Sequence, residues 1–130
     1  MNRKGFTLIE LLIVVAIIGI IAAIAVPTLL STRGAAAKNK AKATLRQIST
    51  AENAYYARNN AYTDFAGLNA AANGGPYLDD RFAGGAFTED NVDYTDVVFD
   101  NDAGTFSATA TLAASLGGDV FTIDQTGYIT

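Results

Sequence analysis

The chain has 130 residues, half of them hydrophobic, with nine Lys and Arg against thirteen Asp and Glu and with neither His nor Cys. Without His and Cys, the Ser-His and Cys-His nucleophile arrangements are excluded, and so are disulfides and thiol chemistry. Residues 1–60 hold eight basic groups and two acids, whereas residues 61–130 hold one base and eleven acids. An acidic second half argues against nucleic acid as a ligand of the isolated chain, since phosphate binding needs clustered Lys and Arg.

In chain order, Arg3 and Lys4 lead into Gly5-Phe6-Thr7-Leu8-Ile9-Glu10-Leu11, and after Glu10 no charge occurs until Arg33. The intervening residues, mostly Leu, Ile, Val and Ala, exceed the roughly 20 that a helix needs to cross a bilayer core. The two leading basic residues place the N-terminus on the cytoplasmic side and the bulk of the chain outside. Glu10 is the anomaly. A carboxylate in a spanning helix costs roughly 2.5–3.5 kcal/mol at mid-bilayer and less near an interface, so it is a functional candidate by default. The plain alternative is an interfacial Glu that snorkels to headgroups. A secretory signal also competes, with Leu11–Ala22 as its apolar region and Ala23-Ile24-Ala25 as its cleavage site. Against it, Glu10 interrupts the basic-to-apolar transition and Pro27 sits two residues past the cut.

The ordered stretch Lys4-Gly5-Phe6-Thr7-Leu8-Ile9-Glu10-Leu11 resembles the class III signal of type IV pilins and type II secretion pseudopilins. The resemblance implies that residues 1–5 are a leader, removed by the prepilin peptidase between Gly5 and Phe6, with methylation of the new Phe6 amine. It further implies that Phe6 and Glu10 serve assembly. Residues 6–32 are then the transmembrane and filament-core helix. Residues 33–130 form a periplasmic or extracellular head that includes the second half of the helix.

A weak point is expected between Gly19 and Pro27. Pro27 offers no N–H to the Ala23 carbonyl and crowds it, a penalty of about 3 kcal/mol, and Gly19 adds roughly 1 kcal/mol against Ala. In lipid the stretch stays helical, because unpaired backbone groups cost several kcal/mol there. Pilins are understood to unwind in this region on assembly.

After Arg33-Gly34 the helical pattern resumes. Ala41, Leu45, Ile48, Ala51 and Tyr55 recur at three- and four-residue steps, one apolar face of a helix. One long helix is therefore expected from Phe6 to about Asn59, with Gly34 tolerated at about 1 kcal/mol. Thr63 or Asp64 caps a short helix through Ala72. Asn73-Gly74-Gly75-Pro76 and Gly84-Gly85 mark a long loop region. Strands follow at Asp93–Phe99, Thr105–Leu112 and Val120–Ile123, with Asp100-Asn101-Asp102-Ala103-Gly104 as a hairpin loop and Asp124–Gly127 as a turn. Thr105–Leu112 alternates, with Phe106, Ala108, Ala110 and Leu112 on one face. The expected fold is α+β: a long N-terminal helix with a three- to four-stranded antiparallel sheet packed on its second half, which resembles the pilin ladle. Many pilins carry a disulfide near the C-terminus; this chain has no Cys, so strand pairing must hold its last loop.

The remaining chemistry is sparse. Asp79/Asp80 and Glu89/Asp90 are paired carboxylates, which in a glycine-rich loop are far more often a solvated surface than an acid–base pair. Asp100 and Asp102 with Gly104 carry the opening spacing of a calcium loop but lack its later ligands, and a hairpin turn accounts for the same residues. They are weak metal candidates, and no cofactor is expected. Tyr55, Tyr56, Tyr62 and Phe65 read as core and edge of the head, and no aromatic lies between Phe6 and Tyr55 to carry electrons along the helix.

The reading that follows is a non-enzymatic structural subunit of a type IV pilus, a homopolymer held through its apolar helix, with adhesion, motility and DNA uptake all compatible. It is inserted in the inner membrane before assembly and extracellular afterwards. The resemblance implies prepilin peptidase, an assembly platform and a motor ATPase as partners. A secretion pseudopilin is the alternative in the same class, although the absence of Trp and of an Asp-Pro-Trp-Gly segment disfavours its major type. A membrane-tethered binding module or minor tip adhesin is the alternative from another class.

Overall fold

The computed structural model describes residues 5–130; Arg3 and Lys4 lie outside the described residues. Helix α1 spans Leu8–Asn59. It starts two residues later than the expected Phe6 because Thr7 occupies the capping position, donating its backbone N–H to Glu10 Oε2 at 2.8 Å while its Oγ1 accepts from the Glu10 N–H at 3.3 Å. That reciprocal pair is a capping box, which satisfies donors the first helical turn cannot.

The chain forms two compact units divided between Arg33 and Gly34, and α1 contributes to both. In the first unit, residues 5–33 are all exposed. The stretch from Gly19 to Pro27 is helical throughout. Just beyond Pro27, Thr28 Oγ1 donates to the Ile24 carbonyl at 3.0 Å.

The second unit packs α1 from Gly34 onward beneath a five-stranded antiparallel sheet. Gly34 is buried, and a Cβ there would lie 3.1 Å from the Leu116 carbonyl oxygen, so a side chain at this position presses on the backbone that crosses it. Helix α2 is Phe65–Asn69, with Asp64 as its cap accepting from the Gly67 N–H. It is shorter than expected because Ala70 turns extended before a 3₁₀ turn at Ala71–Asn73.

The strands are β1 (Phe87–Glu89), β2 (Val92–Tyr94), β3 (Val98–Asp100), β4 (Thr105–Leu112) and β5 (Val120–Asp124). β4 is central: β2 and β3 follow one another along one edge, β5 lines the other, and β1 flanks β2. The count exceeds the three or four expected, for two reasons. β1 is only three residues long, too short for an alternating pattern, and it sits inside the stretch read as loop. It joins β2 through Asp90 and Asn91, both at positive φ (51° and 63°), as tight hairpin turns require. The expected single strand Asp93–Phe99 is split, because Asp96 Oδ1 accepts from the Val97 and Phe65 N–H groups and draws the backbone out of the ladder.

The core is the one the alternation predicts. Phe106, Ala108, Ala110 and Leu112 of β4 are buried with Ala41, Leu45, Ile48, Ala51 and Tyr55 of α1. Truncating a side chain such as Leu45 to Ala costs about 2–5 kcal/mol at a buried site. Tyr55, Tyr62 and Phe65 belong to this core and Tyr56 packs against it. Tyr56 stacks on Tyr62 at 4.6 Å between ring centroids, and Tyr62 meets Phe106 at 4.9 Å. The C-terminal segment is held by strand pairing: Thr122 and Thr130 exchange backbone hydrogen bonds of 2.9 and 3.0 Å, and Ile129 bridges Ile123.

Candidate functional site

The candidate site begins at the start of α1. Gly5 and Phe6 precede the helix, and Phe6 is 77% exposed. Four residues later, Glu10 also receives the Thr7 hydroxyl proton at 2.6 Å on Oε2. Its carboxylate thus caps its own helix, with Oε2 accepting from both the Thr7 N–H and the Thr7 hydroxyl and the other oxygen without a hydrogen bond among the described residues. The Thr-x-x-Glu spacing was a legible signal for this box.

From Phe6 to Leu30, sixteen large apolar side chains are exposed, and Glu10 is the lone charge among them. A contiguous apolar surface of this extent marks an interaction site or a membrane contact. By length and composition, α1 is able to cross a bilayer. The expected weak-point residues Gly19 and Pro27 lie inside this surface, and a Cβ at Gly19 would meet nothing within 4 Å.

Around the head, charges pair within the chain. Lys38 reaches Asp119 at 2.7 Å, and Lys40 contacts Glu89 at 3.3 Å as well as Asp90. Arg81 bridges Asp79 at 2.8 Å and Glu89 at 2.7 Å. The bond to Arg81 holds the Asp79 carboxyl below the usual carboxylate range, and the pairing with Asp90 raises the Lys40 ammonium. Asp79 and Glu89 are therefore engaged by a cation rather than poised as an acid–base couple. Asp100 Oδ1 accepts from the Asp102 and Ala103 N–H groups, each at 3.0 Å, which is the turn chemistry of the β3–β4 hairpin. Among the described residues, no group of three or more His, Cys, Asp or Glu side chains converges on a metal position.

Glu52 is the residue that sequence reasoning missed. It is fully buried, accepts from the Thr63 N–H on Oε2 at 3.3 Å, and leaves Oε1 without a partner. Burial pushes its pKa up to about 8, aided by the nearby Asp64 and Asp96 carboxylates and opposed by the Thr63 bond. The signal was present: Glu52 lies four residues after Ile48 and three before Tyr55, on the apolar stripe itself. It is one of three side chains that clamp the segment after α1. Asn101 Oδ1 takes the Tyr62 N–H at 2.6 Å, Glu52 that of Thr63, and Asp96 that of Phe65 at 2.9 Å.

The prokaryotic N-terminal methylation motif matches residues 1–26. The type IV major pilin protein PilA of Myxococcus xanthus is 46% identical over 65 residues, 50% of this chain and 30% of its own length. The type IV wide pilus major component PilA4 of Thermus thermophilus is 48% identical over 62 residues, 48% of this chain and 47% of its own. The type II secretion system core protein G of Aeromonas hydrophila is 36% identical over 73 residues, 55% of this chain and 51% of its own. The matches thus span about a third to a half of these relatives. No solved structure matches the chain. The chain thus carries the prokaryotic N-terminal methylation motif over residues 1–26 and is similar over about half its length to type IV major pilins and type II secretion core proteins G.

Proposed function

We propose that the chain is the structural subunit of a type IV pilus filament, polymerising through its apolar N-terminal helix. The observation that carries this reading is the exposed apolar surface from Phe6 to Leu30 with Glu10 as its sole charge. Before assembly that surface anchors the subunit in the inner membrane, N-terminus inside; afterwards it lies in the core of an extracellular filament. Cleavage between Gly5 and Phe6 releases a Phe6 amine, which is then methylated and remains a cation. An unpaired buried charge is costly. Glu10 of one subunit therefore pairs with the Phe6 amine of the next, exchanging its Thr7 cap for an ion pair and fixing the stagger between subunits. Prepilin peptidase, an assembly platform and a motor ATPase are the machinery this life cycle requires.

A secretion pseudopilin is the second reading, supported by the core protein G relatives. The higher identity to the two major pilins and the lack of any Trp favour the pilus. The test is the composition of sheared cell-surface fractions. An abundant homopolymer of this chain, cut after Gly5, is expected there; its absence from surface fractions alongside a secretion defect in the deletion strain overturns the pilus reading.

A further inference from the structure

Of the head's basic residues on α1, Lys38 and Lys40 pair with carboxylates of their own chain, whereas Lys42, Arg46 and Arg58 form no ion pair among the described residues. Lys42 and Arg46 lie one helical turn apart, and Lys42 sits over the Phe121 ring at 4.8 Å. They line a groove of about 310 Å³ whose other wall is Gly127, Tyr128 and Ile129. Tyr128 is 76% exposed there, an aromatic in the open beside two cations.

The complement of this groove is on the same molecule at another place. The β3–β4 hairpin presents Asp100 and Asp102, both exposed and neither in an ion pair, directly after the exposed apolar pair Val98 and Phe99. Beyond residue 33, Val98, Phe99, Val120 and Tyr128 are the exposed large apolar side chains. Two of them therefore adjoin the acidic hairpin, one lines the basic groove, and Val120 precedes the Phe121 ring beneath Lys42. The hairpin is fixed beside the end of α1, because Asn101 both accepts the Tyr62 N–H and donates to the Tyr62 carbonyl. The groove lies some sixteen residues earlier along α1, about 24 Å at the helical rise.

The geometry points to a subunit–subunit contact in which the Asp100–Gly104 hairpin of one copy seats in the Lys42/Arg46/Tyr128 groove of a second copy, displaced by about 24 Å along the α1 axis. The occupant follows from charge: a two-cation groove is matched by a two-carboxylate loop, and an apolar pair by an exposed Tyr. The mode of growth follows from symmetry. Groove and hairpin are different surfaces of one molecule, so the contact is heterologous and, with an axial offset, continues as a helix instead of closing into a ring. This rests on the filament reading and deepens it by naming which head surfaces meet.

The chain has no Cys, so paired substitutions report on this contact without background. Arg46→Cys combined with Asp102→Cys, in sheared filaments treated with a short bismaleimide, is expected to give a ladder of covalent oligomers on denaturing gels. A maleimide linker is used because ion-paired side chains hold their Cα atoms beyond disulfide reach. Each single substitution should remain monomeric. As a second measurement, Arg46→Asp or Asp102→Arg alone should lower the salt concentration at which filaments dissociate by about twofold, and the two together should restore it. Intact filaments of the double-Cys variant that yield only monomers, or a charge swap no better than either reversal, overturn the contact. Absence of wild-type filaments would instead overturn the filament reading.

Discussion

Glu10 has two partners to choose between. In the single chain its carboxylate completes a capping box with Thr7, and in the proposed polymer it meets the Phe6 amine of a neighbour. Losing the Glu of a capping box costs about 0.3–1.5 kcal/mol of helix stability, which a helix of 52 residues absorbs. Glu10→Ala is therefore expected to be inserted and cleaved normally, yet to give at most a small fraction of wild-type filament in sheared preparations. Normal filament yield from that variant rules out the registration role. Glu52 makes a different, pH-dependent prediction. Folded Glu52 keeps its proton up to about pH 8, whereas the unfolded chain loses it near 4.5. The folded state thus binds more protons between those values, and stability falls as pH rises through the window. The loss is on the order of a few kcal/mol. For the whole chain in detergent, the head's melting temperature should drop by about 10 °C from pH 5 to pH 8. Glu52→Gln should flatten that dependence and melt higher than wild type at pH 8. A wild-type profile parallel to that of Glu52→Gln would show that Glu52 does not titrate in this window.

At the scale of elements, α1 has two different constraints in one continuous helix. Gly34 is buried under the Leu116 carbonyl, with 3.1 Å available to a Cβ. Gly34→Leu should therefore destabilise the head by about 1–3 kcal/mol through overpacking, even though Leu is the better helix former. A thermal melt unchanged by that substitution would show that the Ala114–Leu116 turn yields freely. Nearer the N-terminus, Gly19–Pro27 is helical in the single chain. Within a filament, neighbouring chains and altered solvation replace the lipid that forbids unpaired backbone, and we expect this stretch to unwind. Extending eight residues from 1.5 to about 3.3 Å each lengthens the segment by up to roughly 14 Å. A filament map with unbroken helix through Ile20–Val26 would refute it.

Across the whole molecule, the charge asymmetry is resolved partly inside the chain, and the proposed head contact would resolve more of it between copies. Lys38 and Lys40 look from their position like groups for a neighbour's acidic head, but the β1–β2 turn and Asp119 fold back onto them. Among the charged groups with no ion pair in the described residues are Lys42 and Arg46 on one side and Asp100 and Asp102 of the hairpin on the other. Exposed pairs are worth only about 0–1 kcal/mol each, yet a contact repeated at every subunit makes the filament salt-sensitive. Filament dissociation that is insensitive to salt from low to molar concentration would count against electrostatic contacts between heads.

The sequence by itself determined what depends on composition and local periodicity. The apolar run from Leu11 to Leu30, the amphipathic stripe Ala41–Tyr55 and the alternation of Thr105–Leu112 each dictate an element and the face it buries, because one short-range pattern settles both. The motif around Gly5 and Glu10 was likewise legible as an ordered string. Tertiary structure alone decided the rest. β1 is three residues long and exists because β2 offers it an edge and Asp90-Asn91 adopts a left-handed turn. The break between β2 and β3 arises from Asp96 bonding to Phe65, 31 residues away in sequence. Which lysines are spent within the chain and which remain for a partner depends on loops brought from fifty or more residues downstream, a proximity that no local pattern encodes.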